Sequence, residues 1–348
     1  MPWRRYWRNV RRAAWFLLGI LAVGIALCLT PGRQVPFEPE PGPNGTPNYG
    51  LAVDHAEQAA PIAAAMPPFA ITGANGERIV QDNAKAVVHL WDATKAVLGR
   101  HTDNYPQEIG DCVSFGGKNA IEYLLCVRIA RDGPAASDFK PISTAYLYGI
   151  SRVQIGGGRI GGDGSVGAWL AKGVQEYGVL ALDDPNVPPY SGSIAKKWGN
   201  RPGPPKQFIE VAKQRLVKTV SPIRNATEAR DAICNGYPLT IASDYGSTDI
   251  RERDGQMVAR RNTSWMHQMA VVGFDGTKGR AGRFYVLNSW GVDVHPAPLN
   301  DEPPGGFWIE ASDMDYIAKQ GDTWAFSEFD GFPARDLNFN VFGVASKF

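Results

Sequence analysis

The sequence predicts an α+β fold in two lobes, helical in its first half and built from antiparallel strands in its second. Three observations carry that expectation. Apolar residues recur at helical spacing in several segments before residue 235, whereas after 238 short apolar and aromatic runs bounded by glycine and aspartate dominate. The one glycine-dense loop is not followed by the repeated strand–helix–strand units of a parallel sheet. With 348 residues, 44% of them hydrophobic and 20% charged, the chain is long and apolar enough for one large domain or two modest ones.

The first twelve residues hold five arginines and no acid, a basic tail. Those five leave 31 basic against 35 acidic residues elsewhere, a net charge of −4, which argues against nucleic acid as the main partner. Residues 13–29 form an apolar run long enough, at ~1.5 Å per residue, to cross a bilayer at the short end of the usual range. Arginines before it and Glu38 and Glu40 after it orient the N-terminus to the cytoplasm. No small-x-small cleavage site follows, so an uncleaved signal anchor is expected, with the rest of the chain on the extracytoplasmic side. A cleaved segment would make the protein secreted. Residues 30–49, rich in proline and glycine, read as a stalk.

Residues 50–103 form an N-terminal extension, with one helix expected over Asn83–Leu98. The main domain follows at 104–330, and 331–348 is a tail. In Gln107-Glu108-Ile109-Gly110-Asp111-Cys112, a loop runs into an apolar-periodic helix, with Cys112 in its first turn and Asp111 able to cap it. A short helix is expected at Pro141–Tyr148. The loop Gly156–Gly164 contains GxGxxG, but Ser151-Arg152-Val153-Gln154-Ile155 before it is too polar for the buried strand a dinucleotide site requires. Backbone exposed along a cleft wall is the better reading of that loop. Helices are expected at Ser165–Tyr177, Lys206–Leu216 and Thr227–Cys234. Strands are expected at 238–243, 268–274, 283–288 and 306–310.

The chemistry converges on three residues. A cysteine at a helix N-terminus is favoured as thiolate by the positive end of the helix. His267 precedes one strand, and Asn288 ends the next, so antiparallel pairing brings the amide to the imidazole. With Cys112 facing them, they make a Cys-His-Asn triad. The four cysteines show no CxxC or Cys/His cluster, so no metal is expected and no cofactor is implied. Cys126 and Cys234 are expected as buried thiols.

At these residues the chain resembles the papain-like cysteine peptidases. Gly-x-Cys-x-Ser-Phe surrounds Cys112, His-x-x-Ala-Val-x-Gly-Phe begins at His267, and Asn-Ser-Trp-Gly occupies 288–291, with Gly-Phe-Trp-Ile at 306–309. The resemblance covers about residues 104–325. It implies a two-lobe fold with the active site in the cleft and a peptidase acting on peptides or proteins, which the apolar run at 13–29 would anchor in a membrane. Cys112 would be the nucleophile, His267 the base, Asn288 its orienting partner, and Gln107 an oxyanion donor. Gly161 and Gly162 would hold the substrate backbone, Trp290 would shield the triad, and Met266 and Gln268 would flank the base in a specificity pocket. The chain departs from the family in three ways. Gln107 lies five residues before the cysteine rather than six, Val113 replaces the usual tryptophan, and the disulfide cysteines are missing. The propeptide helix pattern is also not visible in 50–100. Two other readings keep the cleft: a cell-wall peptide amidase or acyltransferase with the same triad, and a non-catalytic binding module.

Overall fold

The computed structural model describes residues 37–42, 45–69, 83–133, 136–215, 217–333, 335 and 337. The basic tail, the 13–29 run predicted to span a membrane, and the stalk as far as residue 36 lie outside them. Among the described residues no helix is long and apolar enough to cross a membrane.

The described chain opens with a two-stranded ribbon, β1 (Glu40–Pro41) and β2 (Pro47–Asn48). Helix α1 (His55–Ala65), strand β3 (Val87–His89) and helix α2 (Trp91–Leu98) follow. The single helix expected over Asn83–Leu98 is therefore divided. β-Branched Val87 and Val88 pair antiparallel with Asp275 and Phe274, and the chain turns helical only from Trp91. Gly99, at φ 68°, then ends α2 in the left-handed conformation. Residues 87–89 thus join the sheet of the main domain, and the sequence boundary at 104 is not a structural one. Part of the predicted stalk is also different from expectation: β2 lies parallel against the strand that carries His267, Asn48 opposite Met266.

The helical half comprises α3 (Cys112–Asp132), α4 (Thr144–Gly149), α5 (Gly167–Tyr177), α6 (Gly192–Gly199) and α7 (Lys206–Ala212). α4 continues as a π-helix over Ile150–Ile155, the stretch too polar to be a buried strand. Helix α3 is apolar or small on almost every face, the signature of a helix buried all round, and every residue from Cys112 to Leu124 is buried. Gly117 allows close approach to α5, since a Cβ there would sit 2.2 Å from Leu170 Cδ2. The buried Lys118 and Glu122 pair at 3.0 Å, and Glu122 also accepts from Ile142 N–H, so neither charge is left uncompensated.

The second half contains β4 (Thr219–Pro222), α8 (Ala226–Cys234), β5 (Leu239–Gly246), β6 (Asp249–Arg253), β7 (Gln256–Arg260) and β8 (Thr263–Asp275). It closes with β9 (Arg283–Leu287), β10 (Gly306–Glu310), α9 (Ala311–Ala318) and β11 (Thr323–Ser327). The strands form one sheet in the order β4-β11-β5-β8-β9-β10-β7-β6. Sequence reading missed the β6–β7 hairpin, whose turn Asp254-Gly255 has positive φ at both residues. It also missed β11. The long strand β8 packs against α3 in the buried core, so the start of α3 meets the middle of β8. That contact positions the site.

Candidate active site

Cys112 opens α3 and is fully buried. Asp111 sits at the N-cap position, but its side chain makes no cap bond. Its Oδ2 instead accepts from the Tyr190 hydroxyl at 3.0 Å, and that hydroxyl accepts from Glu108 N–H. The loop before α3 is anchored to the sheet half by Gln107. Its backbone N–H donates to Ser289 O at 3.0 Å, and its Oε1 accepts from Ser289 Oγ at 2.7 Å. This leaves Nε2 pointing past Ile109 O, to which it donates at 2.9 Å.

His267 lies within β8 rather than before it, opposite Ser243 of β5. Register brings Leu287 opposite Ala270, so Asn288 leaves β9 beside the histidine. His267 Nε2 and Asn288 Oδ1 are 2.7 Å apart. An amide oxygen only accepts, so Nε2 carries the proton and Nδ1 the lone pair. The next residue in the strand, Gln268, donates its backbone N–H to Cys112 Sγ at 3.4 Å. Cys112, His267, Asn288 and Gln107 are thus drawn together by one helix start, two adjacent strands and the loop that cross-links them.

Trp290 covers the pair, its ring 4.8 Å from that of His267, with Trp265 packed behind it at 5.0 Å. Gln268 is placed differently from expectation. Strand alternation turns it away from His267 into the helix–sheet interface, fully buried, with Nε2 donating to Val113 O at 2.9 Å. It fastens β8 to α3. Met266 shares that face of the strand, its side chain in the main core and its backbone carbonyl accepting from Tyr49 N–H at 2.9 Å. Gly161 and Gly162 lie on a loop held by Arg152, which sequence reading did not single out. The buried Arg152 guanidinium donates to Ile160 O, Gly162 O and Gly164 O, and Nε donates to Gly199 O. Asp163 of this loop accepts from Gly110 N–H at 3.2 Å, bringing it against the start of α3.

Sequence reading also missed the strap that closes the cleft. Tyr49 N–H donates to Met266 O at 2.9 Å, and Tyr49 O accepts from Gln107 Nε2 at 2.9 Å. Gly50 O accepts from Ser165 N–H, and Ala52 N–H donates to Ser165 O, on the opposite wall. The Tyr49 ring lies 4.3 Å from Trp290 and 5.4 Å from His267. Gly50 rests on Gly110, two residues before the thiol. The only signal in the sequence was an aromatic residue followed by glycine at the end of a proline-rich stretch.

Burial sets the electrostatics of the two groups. Burial pushes the Cys112 thiol well up, opposed by the Gln268 N–H bond and reinforced by nearby Asp111. Burial likewise pushes His267 down to about 3, opposed by the bond to Asn288 and aided by His295. Both shifts favour the neutral thiol and the neutral imidazole, the direction opposite to the ion pair expected from the sequence.

No protein-family model matches the sequence, and no curated protein matches it. Solved structures do. The chain is similar to digestive procathepsin L2 from the larval midgut of Tenebrio molitor, with a TM-score of 0.51 and 15% identity over 86% of this chain and 81% of that one. Xylellain, a cysteine protease from Xylella fastidiosa, aligns over 86% and 97% of the two chains at 18% identity and a TM-score of 0.47. The ragweed pollen protease Amb a 11, in its proform, aligns over 72% and 69% at 16% identity and a TM-score of 0.48. The chain has the papain-like fold.

Proposed function

We propose that this chain is a cysteine peptidase, tethered outside the cytoplasm by residues 13–29 and held closed by its own strap. The observation that carries the reading is the convergence of Cys112, His267, Asn288 and Gln107 at one point of the cleft. With the strap displaced, water enters, and the desolvation that keeps thiol and imidazole neutral is relieved. The Cys112 proton passes to His267 Nδ1, the bare nitrogen. The thiolate attacks a peptide carbonyl, and the oxyanion accepts hydrogen bonds from Gln107 Nε2 and the Cys112 backbone N–H. His267 returns its proton to the leaving amine, giving a thioester. It then deprotonates a water that hydrolyses the thioester, releasing a carboxylate product and restoring the thiol.

In the closed form Tyr49 O accepts the Gln107 hydrogen bond that a substrate carbonyl would take. With the strap displaced, Gln107→Ala is therefore expected to lower kcat about 10²-fold, the usual cost of an oxyanion donor, with KM little changed. Steady-state kinetics on a fluorogenic peptide would check this.

The function is tested by assaying denatured protein and peptidoglycan fragments in parallel, with Cys112→Ala as control. Cleavage of protein substrate, lost in the control, supports the reading. Activity confined to cell-wall peptides would move it to the amidase class. No turnover with the strap displaced, and a thiol that alkylates only near its free value of about pH 8.5, would mean a cleft used for binding.

A further inference from the structure

The triad does not end at Asn288. Oδ1 of that amide accepts from His267 Nε2 at 2.7 Å and lies 2.6 Å from the Ser289 backbone N–H, so the other end, Nδ2, is the atom that meets His295 Nε2 at 2.8 Å. An amide nitrogen only donates, so His295 Nε2 must present its lone pair to it. Asn288 is fully buried and His295 is 9% exposed. The His295 ring packs edge-on against Phe307 at 5.0 Å and lies 5.9 Å from Trp290, the ring that also covers His267. Buried aromatic walls thus hold two histidines on either end of one amide.

We propose that His295 is a positioning residue, acting on His267 through Asn288; this rests on the peptidase reading above. A primary amide can rotate by half a turn with little change of shape, which would exchange its oxygen and nitrogen. Turned that way, Nδ2 would face His267 Nε2 and demand a lone pair there, driving the proton to Nδ1. Nδ1 is the atom that must be bare to receive the Cys112 proton. By accepting from Nδ2, His295 keeps the oxygen toward His267 and so selects the tautomer the reaction uses. The backbone N–H of Ser289 supports the same orientation. No proton is transferred to His295, which acts by geometry alone.

Two substitutions separate this role from packing. His295→Leu fills similar space but accepts no hydrogen bond, whereas His295→Gln offers an oxygen near the former Nε2. Ring ¹⁵N–¹H spectra of the full chain, labelled at histidine, report the His267 tautomer. The parent should show the proton on Nε2; His295→Leu should shift population to Nδ1 or speed exchange of the Nε2 proton about tenfold, and His295→Gln should restore the parent pattern. With the strap displaced, peptide hydrolysis should follow, with kcat lower about tenfold or more in His295→Leu at little-changed KM, and within about threefold of the parent in His295→Gln. An unchanged tautomer in His295→Leu, or equal loss in both variants, would overturn the proposal. If the spectra follow this pattern while no chain hydrolyses peptide even with the strap displaced, the positioning role stands and the peptidase reading fails.

Discussion

Gly50→Val is expected to raise the rate of Cys112 alkylation at pH 7 by about tenfold or more, with a parallel gain in peptide hydrolysis. Gly50 has φ +111°, where a side chain is strained by about 1–3 kcal/mol. A Cβ there would also lie 2.2 Å from both the carbonyl carbon and the oxygen of Gly110. Both obstacles are backbone, so neither can rotate aside. Against this the strap holds mainly by hydrogen bonds worth roughly 1 kcal/mol each and by the Tyr49 ring. Strain of this size is comparable to what keeps the strap seated, and each 1.4 kcal/mol toward the open form is about tenfold in population. The pH dependence distinguishes release from unfolding. Burial raises the thiol pKa, so the thiolate is scarce at neutral pH in the parent, and labelling should climb only under alkaline conditions. In the variant, with the ion pair formed, labelling should persist below pH 7 and vanish when His267 is also replaced. Labelling that stays slow at pH 7 in the variant would remove the strap from any role in latency.

The second large effect is expected at His267. In a strap-released background, His267→Ala should lower kcat by about 10³-fold or more, because the base that takes the thiol proton and returns it to the leaving amine is lost. Asn288→Ala should cost less, since it removes the partner that orients the imidazole but leaves the imidazole itself. Single-turnover and steady-state rates on one peptide give both numbers. A His267→Ala loss of only a few-fold would sink the proposed mechanism.

Much of the site was legible in the chain itself. Cys112 stood at a predicted helix start, and the structure begins α3 there. His267 and Asn288 flanked adjacent predicted strands, and β8 and β9 pair so that the two side chains meet. These relations follow from local pattern and antiparallel register, which a sequence carries. Val87 and Val88 misled because helical spacing and β-branching conflicted in a short segment, and an open position beside Phe274 and Asp275 decided between them. Gln268 misled because adjacency to His267 says nothing of face.

From the sequence alone came the α+β class, the helix that presents the thiol, the two strands that present its partners, and the family they resemble. Only the tertiary structure revealed that Tyr49 and Gly50 close the cleft, that Arg152 holds the glycine loop, and that His295 meets the far end of the Asn288 amide. Each of these joins residues through hydrogen bonds to backbone or amide groups that every chain possesses. Such groups leave no mark on the pattern of side chains until folding brings them within 3 Å or so of one another.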